Sequence, residues 1–437
     1  MLRTMAAQPT FREALFFWLK LGFISFGGPA GQIAIMQHEL VEKKQWITQE
    51  RLLYALNFCM LLPGPEAQQL AIYCGWLLHG TRGGIVAGVL FVLPSAVMLW
   101  GLSIVYVIWG AVPAIAGIFY GLKPAVIAVV AAAVLRLGKK ALKNGVGWGI
   151  AAAAFALICI WHTPFPAIVA GAAAVGIIGG KLWPELFGVG WNTLPPTRLG
   201  DTNISARSKE PICFTWVSSV KVIGVCGVLW GAPILVAGCW QGWDGVLIHE
   251  GMFFSKAAMV TFGGAYAVLP YVGQQAVEHF HWLTSTQMLD GLAFAETTPG
   301  PLIIVLQFVG FLGGWNQPGT LSPLLAATLG AAMTTWTTFV PCFLWIFLGA
   351  PHLERLRGVR LLNAALGAVT AAVVGGVLNL AGWFGLHTLR PDAATGAVDW
   401  FATALAVAAF VALHRFKFNL IAVIAACGVL GLAGRLW

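Results

Sequence analysis

Residues 83–110 run without one charged side chain, and 112–135, 147–161 and 420–432 are nearly as apolar. In lipid, only helices and closed barrels satisfy every backbone N–H and C=O. Crossing a core of ~30 Å takes about 20 apolar residues as a helix or about 10 as a tilted strand. Runs of this length predict helices. Composition agrees: of 437 residues, 59% are hydrophobic and 9% charged, with mean hydropathy +0.83. A water-soluble domain carries roughly 25% charged residues, so this chain cannot cover a water-facing surface. The expectation is an all-α polytopic membrane protein whose main partner is the lipid bilayer. The net charge of +9 sits in a few short loops, as expected of cytoplasmic loops, and does not predict a nucleic-acid partner. The eight cysteines are scattered singly, with no CxxC pair, so neither a metal nor another cofactor is expected. Residues 1–10 lead into a helix holding Lys20, so no cleavable leader is expected.

A shift of 236 positions carries Phe26-Gly27-Gly28 onto Phe262-Gly263-Gly264 and Lys20 onto Lys256. The same shift carries Glu42, Trp46 and Thr48 onto Glu278, Trp282 and Thr284, and Pro63-Gly64-Pro65 onto Pro299-Gly300-Pro301. Later the shift grows, matching Pro94 to Pro341 and then Trp148, His162 and Gly176 to Trp400, His414 and Gly428. Two copies are predicted, 11–183 and 247–437. Between them, 184–246 holds a polar linker and one extra transmembrane helix.

One extra crossing between six-crossing copies inverts the second copy. The charges support inversion. Arg136, Lys139, Lys140 and Lys143 follow the fourth apolar segment of copy one, whereas Arg355, Arg357 and Arg360 precede the fourth segment of copy two. Opposite asymmetry at matching positions means opposite orientation. About 13 transmembrane segments are expected, as two inverted-topology repeats with discontinuous helices. Lys43, Lys44, Arg51 and Arg435 fit poorly, since they fall on the outer side. Re-entrant hairpins at the Pro-Gly-Pro segments would instead point both copies the same way.

Proline lacks an N–H and glycine permits unusual backbone angles, so Pro-Gly-Pro ends one helix and starts another, with Pro65 and Pro301 suited to the first helical position. Freed backbone groups in hydrocarbon must line a cavity or be buried in protein. At the start of each half-helix, unpaired N–H groups and the positive dipole end favour an anion. Inverted repeats with broken helices are how many secondary transporters build a midplane site. The plainer alternative is a kink that only shapes packing.

The candidate binding set is Lys20, Ser25, Gly27, Gly28, Pro63, Gly64, Pro65 and Gln68, with Lys256, Thr261, Gly263, Gly264, Thr297, Thr298, Pro299, Gly300 and Pro301. Lys20 lies roughly 13 Å into its helix at 1.5 Å per residue. Paired ammonium groups facing broken helices suit a small multivalent oxyanion, against the alternative of snorkelling to the interface. The hydroxyls offer neutral donors, or bond their own helix. Glu66 and Glu296, unmatched between the copies, are proton-coupling candidates or structural carboxylates. Lys123, Lys221 and Asp290 are further charges in apolar surroundings with no role assigned.

KLGFISFGGPAGQIAIMQ, Gln45-Trp46 and LLPGPEAQQLAIYCGW resemble the first half of the chromate ion transporter family, and TFGGAYAVLPYV with TTPGPL resembles its second half. The resemblance spans both copies. It implies a long-chain, two-domain protein of the bacterial cytoplasmic (inner) membrane that exports chromate and confers chromate resistance. It further implies proton-motive force as the energy source, sulfate as a competitor, and a carrier rather than an enzyme. A sulfate or oxyanion exchanger and a voltage-driven anion uniporter are the alternatives. Oligomeric state is left open, a homo-oligomer included.

Overall fold

The computed structural model describes residues 9–26, 28–110, 112–161, 163–188, 216–262, 264–350, 360–389 and 398–436, and every regular element among them is a helix. The first copy comprises α1 (Phe11–Ile24), α2 (Gly28–Gln37), α3 (Gln49–Cys59), α4 (Glu66–Trp109), α5 (Pro113–Ala141), α6 (Gly145–Cys159) and α7 (Phe165–Leu182). A short α8 (Pro184–Gly188) and the long α9 (Trp216–Gln241) follow. The second comprises α10 (Val246–Val260), α11 (Ala265–Gln274), α12 (Ser285–Thr297), α13 (Val305–Asn316), α14 (Pro323–Gly349), α15 (Arg360–Leu389), α16 (Trp400–His414) and α17 (Leu420–Leu436).

Six of the described helices are long and apolar enough to cross a membrane alone, and four more are apolar but shorter. This is a polytopic helical membrane protein. Arg355 and Arg357 of the charge pattern, together with His162, lie outside the described residues.

Matched residues build matched local structure. Thr48 and Thr284 cap α3 and α12 by accepting from the amides of Arg51 and Gln287. Ahead of each cap, α2 and α11 widen into a π-turn, His38–Lys43 and Gln275–His279. The chain then reverses through Gln45 and His281, both at φ 53°. In α4, His79 and Gly80 leave helical geometry, so it is two helices joined at a kink. Its pieces correspond to the separate α13 and α14.

Long helices pack across the copies. α5 lies along α16 and α17, and reciprocally α15 lies along α6 and α7. Small residues let backbones approach where apolar packing alone gives little drive. On α5, a Cβ at Gly121 would stand 2.8 Å from the Gly431 Cα of α17. Within the copies, α1 packs on α4 and α10 on α14. α9 rests on α14 and α10, and only 17% of its apolar window is buried, against 67% for α15. The extra helix is therefore peripheral, and its outward Val228, Leu235 and Val236 suit lipid.

Candidate anion site

The four helix breaks meet in two crossed pairs. α1 ends at Ser25 and α2 begins at Gly28, whose φ is +68°. α10 ends at Thr261 and α11 begins after Gly264, at φ +99°. The N–H of Gly64 in the first Pro-Gly-Pro turn donates to Thr261 O of the second copy at 2.7 Å. The N–H of Gly300 in the second turn donates to Ser25 O of the first copy, also at 2.7 Å. Each turn therefore terminates the broken helix of the other copy.

Glycine is required at both turns. Gly64 sits at φ +118° and Gly300 at φ +105°, where a side chain is strained. Space is lacking as well. A Cβ on Gly64 would lie 2.9 Å from Cys342 Sγ, and one on Gly300 would lie 2.6 Å from Ser95 Cβ. Ser95 and Cys342 follow the matched Pro94 and Pro341, so the repeat extends to what each glycine touches.

The polar lining is unevenly satisfied. Gln69 Nε2 donates to Pro63 O at 2.7 Å, and Gln32 Nε2 donates to Gly300 O. Sequence reading missed both glutamines; a polar amide inside a helical apolar run was the available signal. Thr261 Oγ1 donates to Ala257 O, Thr297 Oγ1 to Ala293 O and Thr298 Oγ1 to Ala295 O, the self-bonding alternative for each. Ser25 differs: it is fully buried and its Oγ has no partner among the described residues. Gln68, 1% exposed, has an Oε1 with no partner among the described residues, an acceptor for water rather than for an anion. A buried polar atom without a partner costs about 1–3 kcal/mol unless water or ligand satisfies it. α4 and α11 also start without a side-chain cap, which leaves first-turn N–H groups for an anion.

Three expectations need correction. Pro65 and Pro301 sit at the N-cap, one position before the first helical residue. Lys20 does not join the turns. Its side chain is 56% exposed and 3.8 Å from Glu39, a carboxylate it shares with Lys43. The packed face of α1 is instead Ala14, Phe17, Trp18, Leu21 and Gly22. Lys256 is likewise exposed, whereas Phe253, Phe254 and Ala257 of α10 are buried. A long, exposed lysine can carry its ammonium to water or to a neighbouring acid, which is the behaviour that the snorkelling alternative describes. Gly27 and Gly263 lie outside the described residues.

Both unmatched carboxylates are buried, Glu66 at 8% and Glu296 at 5% exposure. Glu296 Oε1 accepts from the Tyr266 hydroxyl at 2.5 Å. Asp290, without an assigned role in the sequence, accepts from Tyr106 and stands beside Lys123.

Crossed helix breaks with uncapped half-helix starts, inside a largely apolar helical bundle, are the architecture of a membrane transporter. The chain belongs to the chromate transporter family: its family model matches residues 12–177 and 250–432. A chromate transport protein of Cupriavidus metallidurans is 30% identical over 370 residues, covering 84% of this chain and 81% of that protein. A chromate transport protein of Pseudomonas aeruginosa is 31% identical over 423 residues, covering 95% and 90%. An uncharacterized transporter of Bacillus subtilis, YwrB, is 31% identical over 138 residues, covering 32% of this chain and 70% of that protein. No solved structure matches the chain.

Proposed function

We propose that the chain is a secondary transporter exporting chromate across the bacterial cytoplasmic (inner) membrane, conferring chromate resistance. Its two repeats, 11–183 and 247–437, stand in inverted orientation, with 184–246 supplying the linker and the extra helix. Chromate binds where the four breaks cross, held by first-turn N–H groups of the half-helices, the Ser25 hydroxyl and the side-chain NH₂ of Gln68. The observation that carries this reading is the reciprocal pair of hydrogen bonds from Gly64 to Thr261 and from Gly300 to Ser25. One compact site then draws on both copies. Lys20 and Lys256 act only from the surface.

Proton-motive force drives export. Its electrical part alone is large: one charge moved through 100 mV is worth about 2.3 kcal/mol, so a dianion gains about 4.6 kcal/mol at roughly −100 mV. At ~1.4 kcal/mol per decade that sustains a gradient above a thousandfold. Proton coupling through Glu66 or Glu296 adds to this. The test is chromate flux in proteoliposomes with voltage clamped at zero and a pH gradient imposed. Saturable flux that follows the gradient supports coupling. Flux that ignores it leaves a voltage-driven uniporter, with both glutamates structural. Competition by sulfate reports whether a second tetrahedral dianion shares the site.

A further inference from the structure

Away from the crossing, a cavity of about 340 Å³ opens where α4 ends and α5 begins. Its wall includes Lys123 of α5, Tyr106 of α4, and Gln287 and Asp290 of α12. The Tyr106 hydroxyl donates to Asp290 Oδ2 at 2.9 Å, and Lys123 Nζ stands 3.7 Å from Asp290 Oδ1. At that distance the pair attracts without a hydrogen bond, and Oδ1 accepts none from the described residues. Lys123 is the open member, with its side chain 22% exposed against 5% for Asp290. Gln287 adds a neutral donor, because its carbonyl is taken by the Thr284 amide while its NH₂ remains.

An aromatic cluster adjoins the cavity. Tyr106 and Phe119 line it, and both pack edge-to-face on Phe294, at 6.0 and 5.2 Å between ring centroids. Phe308 completes the group against Tyr106 and Phe294. Along α12, Phe294 lies between Asp290 and the Pro299–Pro301 turn, so the rings separate the cavity from the crossing.

A loosely held, partly buried ion pair is a poor stabiliser, because desolvation offsets the attraction. Ionisable groups inside membrane segments more often mark an ion path. We propose that this cavity is a second anion site, where Lys123 receives a small divalent oxyanion in place of Asp290 beside the aromatic cluster. The proposal rests on the reading of the chain as an oxyanion transporter. Asp290 is then a competitor. It occupies Lys123 while the cavity is empty, and the two anions exclude one another at one ammonium.

Competition predicts variants of opposite sign, which a structural clamp does not. Sulfate is titrated by calorimetry onto the purified full-length protein in detergent, with melting temperatures measured in parallel. Lys123→Gln weakens sulfate binding about tenfold, Lys123→Arg retains most of it, and Asp290→Asn tightens it several-fold even where melting falls. Wild-type affinity in both neutral variants overturns the proposal, as does a loss in both that tracks melting. Wild-type protein that binds neither sulfate nor chromate overturns the transport reading as well, and is thereby told apart from a failure at this cavity alone.

Discussion

At the residue scale, Ser25 is the polar group at the crossing whose state best discriminates a binding site from a packing kink. Its carbonyl is fixed by Gly300, while its buried hydroxyl has no partner among the described residues. Ser25→Ala removes one donor and little volume. The transport site predicts a chromate KM raised about tenfold, equivalent to roughly 1.4 kcal/mol, with melting unchanged. An unchanged KM in a proteoliposome assay removes Ser25 from the site. Lys20→Ala, by contrast, removes an exposed ammonium while Lys43 still faces Glu39, and shifts KM less than severalfold. The lysines show where sequence reading stops. Depth along a helix was legible from residue count, because rise per residue is constant. Direction around the helix was not, because α1 is apolar on nearly every face, and an apolar face toward lipid looks like one toward protein.

At the element scale, helix breaks were legible because they are local backbone chemistry: proline removes a donor, and glycine admits positive φ. Gln45 and His281 show what that logic leaves out. Both adopt φ 53° without being glycine, because the π-turn before and the capped helix after leave the chain one way to reverse. A left-handed residue costs about 1–2 kcal/mol for a side chain and almost nothing for glycine. His281→Gly therefore raises the melting temperature or leaves it level, whereas His281→Val lowers stability by about 1–2 kcal/mol, read by thermal unfolding in detergent. Equal loss in both variants means that the imidazole, whose Nδ1 lies 3.0 Å from Val277 O, matters more than the backbone. The pairing of the breaks was not legible, since no local signal says that Gly64 seeks Thr261 rather than a residue of its own copy.

At the scale of the whole molecule, long helices exchanged between copies make neither half self-sufficient in this chain: α5 needs α16 and α17, as α15 needs α6 and α7. Copy number and spacing were visible as repeated motifs, but exchange was not, because hydropathy is blind to partner. The proposed inversion places the basic segments 136–143 and 355–360 on one side. In a background without the native cysteines, Gly145→Cys and Gly358→Cys should both resist an impermeant thiol reagent added outside intact cells; labelling of one alone ends the inverted arrangement. The central claim is that both crossed turns together form one chromate path, and chromate flux in proteoliposomes measures it most directly. The prediction is saturable wild-type flux, cut at least about tenfold by Gly64→Ala and likewise by Gly300→Ala, each variant inserting at wild-type levels. Wild-type flux through both variants would contradict it.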